Sequence, residues 1–354
     1  MALDMVASKD VLIIGDSRFS GAYLWKELYD RGHKVTIFNQ GKTVLKPLRG
    51  ESDNDFEARK AAAKFIAGDR KDAVDMTSKL SGESFNVVYD MTGRTVEDTA
   101  PVADLFNGKV EHFVYMSSAG IYKKTGIMPH REGDEVDERS RHKGKLETET
   151  YLAKIGIPWT SIRPTYIYGP GNYIPLEEYF FSRLDAGRRI CIPGHGQHIT
   201  GLGHVQDLAV AMANVIGRPQ AVGKAYNVQD SQSITLEGLA TLCAEAMDAG
   251  SDGKGKGTVT DLKYYDCGDF DFGCVNPFPL REQHFFCSVD QAKIDLDWEP
   301  EFSLLKGLTD SFEHDFSVKK AAGALVFDFT TDDMVLDDDR VKVRMYDGMP
   351  EDQM

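Results

Sequence analysis

The stretch DVLIIGDSRFSG, Asp10 to Gly21, decides the fold. Val11, Leu12, Ile13 and Ile14 form an unbroken aliphatic run, the pattern of a strand buried on both faces of a parallel sheet. The run stops at Gly15, and Ala22, Leu24, Leu28 and Tyr29 then recur at helical spacing as far as Arg31. Lys34 to Asn39 is a second strand, which closes a strand-helix-strand unit. In a nucleotide-binding unit of this kind one glycine makes the tight turn, the next lets backbone approach a pyrophosphate, and the last lets helix and strand pack closely. Here Gly15 and Gly21 hold the outer positions of a GxxGxxG pattern, and Arg18, followed by Phe19, holds the middle one. A guanidinium there either partners the pyrophosphate or blocks the turn. The second strand ends in Asn39, where a carboxylate would accept the ribose hydroxyls. A dinucleotide, NAD(P), is therefore expected to bind weakly or not at all, and the turn could equally be kept for folding.

Outward from this unit, strands and helices alternate. A helix is expected over Phe56 to Ile66, leading into a strand end at Ala67 to Arg70, then a strand over Ser84 to Met91 and a helix over Thr99 to Phe106. Strands at Lys109 to Ser117 and Trp159 to Arg163 flank a charged loop reaching Arg139 and a helix from Lys143 to Ile155. Helices follow at Glu177 to Ala186, Val205 to Val215 and Ile234 to Met247, the last capped by Thr235, with strands near Ile190 to Ile192 and at Ala225 to Val228. This alternation predicts an α/β, doubly wound parallel sheet. Four parts are expected: an N-terminal arm at 1–10, the sheet domain at 11–230, a smaller C-terminal α/β lobe at 231–330 that contributes to the cleft, and a disordered tail at 331–354. From Asp332 the tail carries eight acidic and three basic side chains. Ser251 to Gly257, SDGKGKG, is a flexible loop, and a helix starting at Val289 should end at Trp298-Glu-Pro.

Lys+Arg 41 against Asp+Glu 56 gives a net charge of -15, which excludes wholesale non-specific binding to nucleic acid but leaves room for a local basic patch. The cysteines, Cys191, Cys243, Cys267, Cys274 and Cys287, are odd in number and scattered without a CxxC, as in a reducing compartment, and no zinc site is expected. No apolar run is long enough to span a membrane, and no targeting peptide is expected in the few residues before the first strand.

VYMSSAGIY (Val114 to Tyr122), IRPTYIYGPGN (Ile162 to Asn172), GHVQDLAVAM (Gly203 to Met212), AYNVQD (Ala225 to Asp230) and DLDWEPEFSLLKGL (Asp295 to Leu308) together resemble the extended short-chain dehydrogenase/reductase superfamily, also called the NAD-dependent epimerases and dehydratases. The resemblance implies a Rossmann-like sheet with substrate between it and a smaller lobe. More narrowly, GDSRFSG (Gly15 to Gly21), GESDNDF (Gly50 to Phe56), SRHKGKLETE (Ser140 to Glu149), PFPLREQHFF (Pro277 to Phe286) and DFTTDDMVL (Asp328 to Leu336) resemble the plastid stem-loop-binding proteins, an RNA-binding branch, and its b type in particular. That implies a chloroplast location, stem-loop and ribosomal RNA as ligands, roles in ribosomal RNA maturation and transcript stability, and assembly with ribosomal particles and an a-type paralogue.

The superfamily works with Ser, Tyr and Lys, the tyrosine exchanging the proton that accompanies hydride transfer. Ser118 and Lys145 stand at the matching positions, but the tyrosine position is Arg141, which stays protonated at any working pH. Tyr122 could stand in, although it reads more simply as packing. Dehydrogenase or epimerase chemistry on a nucleotide sugar is thus the alternative reading, and a dinucleotide-sensing scaffold a third. Arg139, Arg141, His142, Lys143 and Lys145, beside Lys123, Lys124, His130 and Arg131, could neutralise phosphates, or could be a solvated loop interleaved with Glu132, Asp134, Glu135, Asp137 and Glu138. If RNA is cleaved, His142 is the candidate base, with Arg141 and Lys145 stabilising charge. Asp90 and Asp207 are candidate outer ligands of a magnesium ion, though each fits a structural role better. Tyr166, Tyr168 and Tyr173 could stack on unpaired bases or line a sugar pocket. Tyr264, Tyr265, Phe270 and Phe272 are expected in the core, and His195 and His198 in a loop covering the cleft.

Overall fold

A computed structural model describes residues 7–15, 17–251 and 261–337 of the chain. β1 (Asp10–Ile14), α1 (Phe19–Asp30), β2 (Lys34–Asn39), α2 (Asp53–Ala62), β3 (Lys64–Ala67), α3 (Ala73–Leu80), β4 (Val87–Asp90), α4 (Val96–Phe106), β5 (His112–Met116), α5 (Lys143–Ile155) and β6 (Trp159–Pro164) alternate along the first half. The second half adds β7 (Tyr166–Tyr168), α6 (Glu178–Asp185), β8 (Ile190–Pro193), β9 (Ile199–Thr200), β10 (Leu202–His204), α7 (Val205–Ala213) and β11 (Lys224–Val228). The lobe closes with β12 (Ile234–Thr235), α8 (Leu236–Ala249), β13 (Leu262–Tyr265), α9 (Asp290–Leu296), α10 (Leu304–Ser311), α11 (Ser317–Ala321) and α12 (Thr330–Leu336).

Among the described residues, seven parallel strands form the central sheet in the order β11-β6-β5-β4-β1-β2-β3. The order in which strands are added reverses between β1 and β4, so the crevice beyond their carboxyl ends, at Gly15 and Asp90, is where such a sheet places a ligand. One face buries Val11, Ile13, Leu24, Leu28 and Trp298, and the other Leu12, Ile14, Phe106, Phe113 and Leu152. A separate core of Phe180, Phe181, Leu239, Leu308 and Phe312 stabilises the lobe. Asp207 in α7 joins the two: its carboxylate accepts from the Glu301 and Phe302 amides at 2.9 and 3.0 Å, and its carbonyl accepts from Trp298 Nε1.

Several boundaries differ from the sequence expectation, three of them for reasons visible in the packing. α2 stops at Ala62 because Lys64–Ala67 pairs with Thr36–Asn39 of β2, and that pairing outweighs the helical propensity of EARKAAAKF. α9 ends at Leu296, just before the expected stop at Trp298-Glu-Pro, because Asp297 takes a left-handed φ of 49° and lets Trp298 turn into the core. The tail expected to be disordered from 331 begins as α12, in which Asp332 pairs with the buried Arg183 at 2.8 Å and Val335 is buried. Residues 338–354, most of the expected loop at Ser251 to Gly257 and the first six residues lie outside the described residues.

Glu177, just before α6, is buried and accepts from the Gly169 amide at 3.2 Å. Burial pushes its pKa up to about 7 from 4.5, so the folded chain keeps a proton that the unfolded chain releases. Stability should therefore fall as pH rises from about 4.5 to 7. Glu177→Gln is expected to stabilise the protein at pH 8 by about 1–3 kcal/mol and to remove that part of the pH dependence, as read by denaturant unfolding.

Candidate nucleic-acid interface

Gly15 sits at the end of β1 with φ 101°, and a β-carbon there would collide with the Thr92 side chain, so only glycine serves. Its amide donates to the Phe38 carbonyl at 2.9 Å, which joins the turn to β2. Arg18 precedes α1, exposed, with its guanidinium 4.4 Å from the centre of the Tyr173 ring. Phe19 is buried against Tyr23 and Val205, and Gly21 is buried in α1. Asn39 spends its side-chain oxygen on the Gly41 amide at 2.8 Å.

Across the crevice, Arg70 pairs with the fully buried Asp90, and its Nη1 also donates to Thr92 Oγ1 at 3.0 Å. A dinucleotide would need ribose acceptors here. The crevice instead offers the Arg18 guanidinium against Tyr173, the Arg70 guanidinium paired with Asp90, and an amide whose oxygen is occupied. These residues suit a phosphate group better than the free adenosine ribose diol of NAD.

The reacting positions have also been put to other use. Ser118 Oγ accepts from the Gly120 amide at 3.1 Å as the cap of a short turn. Tyr122 is buried, donates to Asn227 Oδ1 at 2.7 Å, accepts from Arg163 and stacks on His130. Burial raises its pKa well above the usual tyrosine value, and its hydroxyl is engaged by Asn227 and Arg163. Lys145 points inward, where Nζ donates to the carbonyls of Met116 and Gly93. Burial lowers its pKa to about 8. His142 Nε2 accepts from Arg141 Nε at 3.1 Å, and burial, followed by Arg141, Arg281 and Lys145, lowers its pKa to about 4. Its basic lone pair is thus occupied and weak, a poor arrangement for a general base.

Arg141 itself enters the cleft at the position of the missing tyrosine. With Gly120, Lys124, Tyr166 and Arg281 it lines a cavity of about 650 Å³. Arg281 lies 4.3 Å from the centre of the Phe285 ring, and its amide donates to the Tyr166 hydroxyl at 3.1 Å. The cavity therefore combines three cations with an aromatic edge, and Asp137 is the carboxylate in its wall. Sequence reasoning missed Arg281, although it lies in the quoted run PFPLREQHFF; nothing local to that run says that it folds back onto the loop before α5.

The basic cluster Arg139 to Lys145 is divided by α5. Arg141 lines the cavity, whereas Lys143 is exposed and 3.4 Å from Glu147, and Lys123 is exposed and 2.7 Å from Glu135. Arg139 is exposed on the rim, its amide donating to Asp137.

Residues 11–228 match the NAD dependent epimerase/dehydratase family. The "Chloroplast stem-loop binding protein of 41 kDa b, chloroplastic" of Arabidopsis thaliana is 47% identical over 334 residues, 93% of this chain and 85% of that protein. The chain belongs to the chloroplast stem-loop binding branch of that family. Among solved structures, an epimerase from Methanothermobacter thermautotrophicus has a TM-score of 0.68 at 19% identity, covering 89% of this chain and 94% of its own. The dTDP-glucose 4,6-dehydratase of Bacillus anthracis, in complex with NAD, has a TM-score of 0.68 at 15% identity, covering 88% and 98%. These likenesses establish the α/β, Rossmann-like fold.

Within the family fold, the remaining candidates separate cleanly. Tyr168 is fully buried beside His204 and cannot stack on a base, and Tyr265, Phe270 and Phe272 pack with Val335 in a small core. Tyr166 lines the cavity, while Tyr173 and Tyr264 are exposed. Asp90 and Asp207 are consumed by Arg70 and by backbone amides. Among the described residues, no three His, Cys, Asp or Glu side chains are grouped to hold a metal ion, and no helix is long and apolar enough to cross a membrane.

Proposed function

We propose that the chain binds stem-loop RNA in the plastid, with the sugar-phosphate backbone laid across the mouth of the cleft at Arg141, Arg281 and Lys124. The observation that carries this reading is the Arg141 guanidinium, at the position where a proton-transferring tyrosine would stand, joined in the same cavity by that of Arg281. Planar, permanently charged forks suit phosphate contacts, and Tyr166 provides an apolar edge for an unpaired base. The Arabidopsis relative, named for stem-loop binding and for the chloroplast, supports the ligand class and the location. The net charge of -15 keeps the rest of the surface repulsive, which would confine RNA to this rim. By the same family kinship, the reading extends to ribosomal RNA maturation and transcript stability, and to assembly with ribosomal particles and an a-type paralogue. For cleavage, with or without Mg²⁺, the geometry offers little, since the His142 Nε2 lone pair already accepts from Arg141.

End-labelled stem-loop RNA incubated with the purified chain over a salt series, with magnesium or with chelator, tests this directly. A shift without cleavage is expected, with a log-log salt slope of about -2 to -3 for three to four phosphate contacts. No shift at low salt would overturn the reading and return the cleft to nucleotide-sugar chemistry.

A further inference from the structure

The cationic cavity continues into a smaller one of about 350 Å³, with which it shares Lys124 and Gln283 and which His198 and His284 also line. His195, His198 and His284 form a row, with ring centres 5.0 and 5.3 Å apart. His284 Nδ1 accepts from the Ile199 amide at 3.0 Å, and His195 Nδ1 accepts from the Gln197 amide at 3.2 Å. An imidazole that accepts at Nδ1 carries its proton on Nε2 when neutral, so both rings present N–H donors. A metal at either Nε2 would have to displace that proton, whereas a phosphate oxygen accepts it. His198 Nδ1, between the two, is buried with no hydrogen-bond partner among the described residues.

Resting on the RNA reading above, we propose that His198 and His284, with Lys124, form a phosphate subsite that extends the cleft and strengthens as His198, whose Nδ1 is tied to no amide among the described residues, gains a proton. In the free chain burial, then His195, His284 and Lys124, lower the His198 pKa, while Glu282 opposes them. Glu237, which accepts from Gln197 Nε2 at 2.7 Å, is the other carboxylate beside this loop, and Tyr264 packs against Gly196. A phosphate dianion or phosphodiester beside His198 favours its charged form and raises its proton affinity. Binding therefore takes up protons, and affinity falls as pH rises.

The test measures stem-loop affinity at constant ionic strength from pH 6 to 8, together with NMR titration of the histidine ring protons with and without inorganic phosphate. In the unmodified chain, affinity is expected to fall about 10-fold over that range, and in His198→Gln/His284→Gln by less than about 3-fold. Arg141→Ala/Arg281→Ala should lower affinity at both ends while keeping the slope. An unchanged slope in the histidine variant overturns the subsite. Histidine titrations raised by phosphate in a chain that binds no RNA would uphold the subsite and sink the RNA reading. RNA binding that leaves every histidine titration unmoved would do the reverse.

Discussion

Arg141→Ala/Arg281→Ala should weaken stem-loop binding by about 30- to 150-fold at moderate salt, from about 1–1.5 kcal/mol for each charge-assisted phosphate contact after screening. It should also flatten the salt slope by about 1.5, because two phosphates would no longer be neutralised. Lys123→Ala and Lys143→Ala should each cost less than about 3-fold, since both cations are exposed and face their own carboxylates, Glu135 and Glu147. Arg141→Lys should not rescue fully, because an ammonium cannot present the planar fork. Arg281 packs on Phe285, so circular dichroism and thermal unfolding of the double variant must show a folded chain before its affinity is compared. Equal losses from Lys143 and Arg281 would mean that RNA lies along the outer face of α5 and not across the cavity.

That contrast between Lys143 and Arg281 shows how far the sequence could be read. The βαβ start, the doubly wound sheet and the boundaries of α5, Lys143 to Ile155, are legible because each rests on local periodicity. Arg141 is legible as a departure from a local spacing. Arg281 and Arg70 are not, because their roles arise from contacts made across the sheet or from the lobe, at long separations along the chain. The error at α2 and β3 has the same origin: a helix-favouring segment was drawn into a strand by a neighbour that its own residues do not announce. The start of α12 was hidden likewise, since an acidic run is polar by composition, and only Arg183 at the other end of an ion pair makes Asp332 a buried residue.

The second large effect concerns Asp90. Its Oδ1 accepts from the Gly93 amide at 2.9 Å, its Oδ2 from Thr99 Oγ1 at 2.7 Å, and Arg70 pairs with both oxygens. Asp90→Ala should lower unfolding stability by about 3–5 kcal/mol, because it strands the Arg70 guanidinium, 12% exposed, beside an apolar sheet. Adding Arg70→Met should restore part of the loss, since the cost comes from the unpaired charge and not from the lost attraction. Burial opposes ionisation of Asp90, but Arg70 and the hydrogen bonds from Thr99 and Gly93 outweigh it and hold its pKa below the usual value. The stability it contributes is therefore complete above the unfolded aspartate pKa near 4 and is lost as pH falls below it, so the single variant should show a shallower acid transition. Magnesium separates this role from metal binding. An ion held by Asp90 would raise the melting temperature of the parent chain and not of the variant, whereas a carboxylate already saturated by Arg70, Thr99 and the Gly93 amide has no lone pair to offer, and neither temperature should move.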